Sequence, residues 1–131
     1  MNKDKVLLLK DLSSRLPYSP IVHIKDEDGT EVDALLTTST IDNLGKWVVK
    51  PYLRPMSSMT DDELVAFLKI RGMNLSHDKL QVFRKNDFMI ANTLSSYSRS
   101  IDWLNKNMFD YRGLIPLGLA IEAPSDMYKE E

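Results

Sequence analysis

Leu8, Leu9, Leu12 and Leu16 recur at helical spacing with Lys3, Asp4, Lys5, Lys10, Asp11 and Arg15 between them. The opening stretch therefore reads as an amphipathic helix with a charged reverse face, ended by Pro17. From Pro20 the period shortens. Ile21, Val22 and Ile24 are β-branched, Asp26 to Gly29 form an acidic connection, and Thr30 to Leu36 alternates with Val32, Ala34 and Leu36 on one side. This pattern predicts a hairpin in which Gly29 supplies the positive φ of a tight turn. After the polar stretch Thr37 to Thr40 and a turn over Asp42 to Gly45, Trp47, Val48 and Val49 predict a third short strand.

Thr60 and Glu63 stand at the two positions of a capping box, and Met59 and Leu64 at those of a hydrophobic staple, so a helix starts here. Asp61, Asp62 and Glu63 complement the positive end of its dipole, Lys69 and Arg71 the negative end, and Gly72 is placed to stop it. Leu80, Val82, Phe88 and Ile90 around Arg84 to Asp87 predict a second hairpin over 79–92. Tyr97, Ile101, Leu104 and Met108 then mark a helical stripe that starts at one of the serines from Ser95 to Ser100, with Asp102, Asn105 and Lys106 outside. Gly113, Pro116 and Gly118 punctuate a turn, Leu119 to Ile121 form a last strand, and a tail runs over 124–131. The fold class is α+β: one domain over 1–131, with a small antiparallel sheet of hairpins packed against about three helices.

The 131 residues, 43% of them hydrophobic, are enough to bury one core. Seventeen basic against nineteen acidic residues give a net charge of −2, which argues against a dedicated binder of duplex nucleic acid. The absence of cysteine removes disulfides, thiolate zinc sites, iron–sulfur clusters and a cysteine nucleophile, and fits a reducing cytoplasm. The longest apolar run near the start, Val6 to Leu9, is far short of a signal peptide core or a membrane span.

Catalytic and metal signatures are thin. His23 and His77 have no second histidine at ligand spacing, and Asp26, Asp28 and Gly29 lack the remaining ligands of a calcium loop, so neither a metal nor a cofactor is expected. No glycine pair matches a phosphate-binding loop, and the serines at 57, 58, 95, 96, 98 and 100 lie in no nucleophile signature. Binding without catalysis is the expectation, and two segments suit it. Lys50 to Met59 is a proline-stiffened loop entering a helix, where Tyr52 offers a stacking ring, Arg54 a guanidinium and Ser57 a hydroxyl for an anion. Asp110 to Gly113, with Arg99 at the far end of the preceding helix, adds Tyr111 and Arg112 as a second cation and aromatic set. Each segment also has a purely structural role open to it, as a core plug or a closed turn.

These same residues carry a likeness. Lys50 to Thr60, KPYLRPMSSMT, and Ile101 to Tyr128, IDWLNKNMFDYRGLIPLGLAIEAPSDMY, resemble an abundant group of short proteins from Bacteroides-type gut bacteria and their phages, and the opening LLLKDLSSRLPY is similar too. Pro116 and Leu117 depart from the group, where a charged pair stands before the glycine. The resemblance implies a phage or mobile-element setting and carries across no activity and no catalytic residue. In that setting the expected role is a non-enzymatic binding protein that sequesters a small phosphorylated ligand, such as a host immune nucleotide. The alternatives are a module that binds a host or virion protein, and a small enzyme acting on a nucleotide-like substrate. Two-fold association is expected of the first two, because a short chain with a half-covered sheet gains buried area that way.

Overall fold

A computed structural model describes residues 3–70 and 94–128, with four α-helices and a four-stranded sheet among them. The architecture is α+β. Internal contacts divide the chain into two compact units, Met1–Met56 with Asn105–Glu131, and Ser57–Leu104.

In the first unit, α1 (Lys3–Arg15) follows the leucine stripe, and Leu8, Leu12 and Leu16 pack with Val22, Ile24 and Val49 of the sheet. The reverse face is not wholly solvated as expected, because Asp11 and Arg15 are fully buried. A pair of opposite charges four residues apart on a helix neutralises itself, so it enters the interior where a single charge would not. The hairpin forms as predicted, from β1 (Ile21–Lys25) and β2 (Glu31–Leu35). Gly29 has φ +86° and the Asp26 carboxylate accepts the amides of Asp28 and Thr30, which closes the turn.

Three local readings change. Thr37 to Thr40 is no mere polar connection: Thr37 caps a short helix, α2 (Thr38–Asp42), by accepting the Thr40 amide at 3.3 Å. The third strand, β3 (Val48–Leu53), runs through Pro51, so Lys50 to Leu53 is strand rather than loop. Pro51 is tolerated because it stands opposite Val22 at a position of the β1–β3 ladder that exchanges no hydrogen bond. The final strand is β4 (Ile121–Glu122), which joins β3 in parallel, so the sheet is mixed, in the order β2-β1-β3-β4.

The tail is anchored too. Where β1 and β3 part, beyond the Val22–Pro51 pair, the hydroxyl of Tyr128 enters the gap: it accepts the Ile21 amide at 3.0 Å and donates to the Tyr52 carbonyl at 2.7 Å. Burial pushes this phenol up to about 12, so it remains a donor throughout the physiological range. On the same side of β3, the segment 108–110 replaces β1: the Arg54 amide donates to Met108 and the Arg54 carbonyl accepts the Asp110 amide.

In the second unit, α3 (Asp61–Ile70) begins at the predicted capping box, with reciprocal Thr60 and Glu63 bonds of 3.0 and 3.1 Å. Leu64, Phe67 and Leu68 are buried, and the Phe67 and Trp103 rings lie 5.6 Å apart. The fourth helix, α4 (Leu94–Lys106), starts one residue before the serine cluster, and its last two residues belong to the first unit. Asn105, expected outside, is buried. Arg71, Gly72 and the hairpin expected over 79–92 lie outside the described residues.

Tyr128→Phe keeps the ring but leaves a strand amide and a strand carbonyl without their partner. It should lower unfolding free energy by about 1–3 kcal/mol in urea titrations.

Candidate functional site

The sequence-selected residues divide between three places. Ser57 is exposed in the 3-10 turn Met56–Ser58, and Arg99 lies within α4. Arg54, Tyr111 and Arg112 gather around the segment that runs beside the end of β3. The Arg54 guanidinium stacks on the Phe109 ring at 4.2 Å, so the two segments singled out in the sequence do meet at this point.

Arg112 is drawn into a buried ion cluster. Its Nη1 donates to Asp11 Oδ1 at 2.8 Å and its Nη2 to Ser14 Oγ at 3.2 Å. Arg15 holds the same carboxylate bidentately at 2.9 and 3.0 Å and donates to the Phe109 carbonyl at 2.7 Å. Both guanidiniums lie over the Tyr111 ring, at 5.4 and 4.7 Å, and the Tyr111 hydroxyl donates to Asn105. Asp110 turns inward and accepts the amides of Leu114 and Ile115, which shapes the following turn. Arg15 Nη1 is buried without a hydrogen-bond partner among the described residues, and the other guanidinium contacts of the cluster run to acceptors of the chain itself, so its chemistry is cohesion. Asp11→Ala should cost about 3–5 kcal/mol, because it strands a buried guanidinium. Arg112→Ala, which leaves the bidentate Asp11–Arg15 pair, should cost less in the same urea titration.

Tyr52 belongs to a different cluster, which no contiguous motif in the sequence marks. On β1, His23 places Nδ1 2.7 Å from Asp33 Oδ1 and Nε2 3.0 Å from Glu31 Oε1, both carboxylates coming from β2. The Tyr52 hydroxyl donates to Asp33 Oδ1 at 3.0 Å, and the His23 and Tyr52 rings meet edge to face at 6.4 Å. The signal was present in the hairpin: a turn closed by Asp26 and Thr30 sets His23 opposite Asp33. The Glu31 and then the Asp33 hydrogen bond raise the histidine above its ordinary value, and His23 in turn lowers both acids. Burial, followed by the bond to Asp33, raises Tyr52. An imidazolium with both N–H groups on carboxylates has no lone pair to act as a base, so the arrangement suits recognition better than proton transfer.

Strand register extends this cluster into a surface. Leu35 pairs with Ile21 and Tyr52 with Ile121, and the Tyr128 hydroxyl bridges Ile21 to Tyr52 where β1 and β3 part, so these four residues form an apolar row across the sheet, with Asp33, His23 and Lys50 as a charged row beside it. Glu31, Lys25 and Val48 form the third row. Leu35 and Val48 are 58% and 56% exposed.

No family model, curated protein or solved structure matches this chain. Among the described residues no helix is long and apolar enough to cross a membrane, and no group of three or more acids and histidines is placed to hold a metal ion.

His23 should titrate above 6.5 in proton NMR, and Glu31→Gln or Asp33→Asn should lower its midpoint. The folded state binds this proton more tightly than the unfolded chain. The stability it contributes is therefore full below the unfolded histidine value and disappears as pH rises through the raised one. The two carboxylates act in the opposite sense, and their contribution fades as pH falls through their lowered values.

Proposed function

We propose that this protein is a non-enzymatic binding module that recognises another protein through the outer face of its sheet. One observation carries the reading: the apolar row Leu35, Ile21, Tyr52 and Ile121, bordered by the charges of Asp33, His23 and Lys50, on a face whose Leu35 and Val48 are more than half exposed. An apolar strip within a polar frame is the composition of a protein-recognition patch. Sequestration of a phosphorylated ligand by the Arg and Tyr segments is less favoured, since Arg112 is held by Asp11 and Ser14, and Tyr52 by Asp33. The phage or mobile-element setting that the sequence resemblance implies suits a module that occludes a host or virion protein.

The test is affinity capture from the native host with three variants. Leu35→Glu and Ile121→Glu place a charge on the row and should abolish recovery of the partner. Val6→Glu, at a residue 49% exposed on α1, should leave it unchanged. Equal recovery with all three variants would contradict the proposal. So would a stoichiometric phosphorylated molecule released intact on heating the purified chain, which would favour ligand sequestration.

A further inference from the structure

The edge of the sheet names the chemistry of the partner more closely than its face does. β2 is an outer strand of the sheet, and all five of its residues are exposed. The Leu36 amide donates to Pro20 and the Asp26 amide to Thr30, which fixes the phase of the β1–β2 ladder. Thr30, Val32, Ala34 and Leu36 thus turn their backbone groups toward β1, while Glu31, Asp33 and Leu35 turn theirs outward. Among the described residues no strand pairs with that outward side.

Three features describe what would fit there. The outward backbone groups of Glu31, Asp33 and Leu35 form a template for main-chain pairing. The side chains of the same residues stand on the outer face, where Asp33 Oδ1 is occupied by His23 and Tyr52 and Glu31 Oε1 by His23. The second oxygen of each acid accepts no hydrogen bond among the described residues, and the charged residues of the edge strand itself are only acids, the cations Lys25 and Lys50 standing one and two strands further in. On the inner side, Val32 stays 50% exposed although it pairs with the buried Ile24, so the core-facing side of β2 is only half covered.

We infer that the outer edge of β2 takes an extended segment of the partner protein as a fifth strand. That segment carries basic side chains beside Glu31 and Asp33, an apolar one beside Leu35, and β-branched ones over Val32 and Ala34. A second copy of this chain is the poorer occupant, because antiparallel pairing of two β2 strands centred on their midpoint sets Asp33 against Asp33, a like-charge contact that destabilises a sheet. The inference rests on the outer-face proposal, of which it specifies the partner.

The probe is an end-capped peptide of the pattern Arg-Val-Lys-Val-Leu, titrated into the full chain labelled for amide NMR. Glu31, Asp33 and Leu35 amides should shift and exchange more slowly with solvent. A peptide with glutamates in place of the cations should bind at least about tenfold more weakly, the scale of one charge-assisted hydrogen bond. Methylating alternate peptide nitrogens should abolish binding in one frame and spare it in the other, because only one set of amides faces β2. Equal binding of the basic and acidic peptides, equal binding in both methylation frames, or no binding at all would overturn the inference. Failure here with partner capture still lost on Ile121→Glu, at the far side of the sheet, would leave the outer-face proposal standing. Capture insensitive to Ile121→Glu would remove that proposal itself.

Discussion

A guanidinium with no exposed surface is the constraint around which the first unit is arranged. Arg15 is fully buried and so is Asp11, its partner one turn back on α1. Such a pair is tolerated only when geometry and further hydrogen bonds replace the water it has lost. Here Asp11 receives both arginines, Arg15 reaches the Phe109 carbonyl, and the Tyr111 ring offers its π-face to both cations. Helix α1 is thereby fixed to a segment almost a hundred residues further along the chain. That segment continues the sheet beside Arg54, so one ion cluster sets helix, loop and strand together.

The same arrangement divides the surfaces. Apolar residues of α1 and the inner sheet face form one cluster, and Leu53, Met108, Leu114 and Ala120 form another around the end of β3. Side chains that alternate away from these clusters form the rows of the outer face. There His23, Glu31, Asp33 and Tyr52 neutralise one another in part without being buried, which keeps a polar face ordered at the surface. Tyr128 holds β1 to β3 where the apolar row crosses them, so the integrity of the surface depends on a side chain from the end of the chain.

Local chemistry made much of this legible. The Thr60–Glu63 box, the Asp26–Gly29 turn and the leucine stripe of α1 are each decided by neighbours in sequence, and each is found where the sequence places it. What escaped depends on distant partners. Asp11 and Arg15 look like solvated charges until Phe109 and Arg112 are beside them, and Tyr128 looks like tail until β1 and β3 part. Pro51 suggested a loop because its harmless position in the ladder is a property of register, not of composition. Of the candidate residues, Arg112 sits on an internal carboxylate with its guanidinium over the Tyr111 ring, while Tyr52 stands with His23, a residue that the sequence offered as a metal ligand.

Site-specific photo-crosslinking in cells tests the proposed recognition surface most directly. A photoreactive amino acid placed at Leu35 or Ile121 should crosslink to the same partner protein, and one placed at Val6 on α1 should not. Crosslinking to that protein from Val6 alone, or equally from all three positions, would contradict the assignment of the outer sheet face as the binding surface.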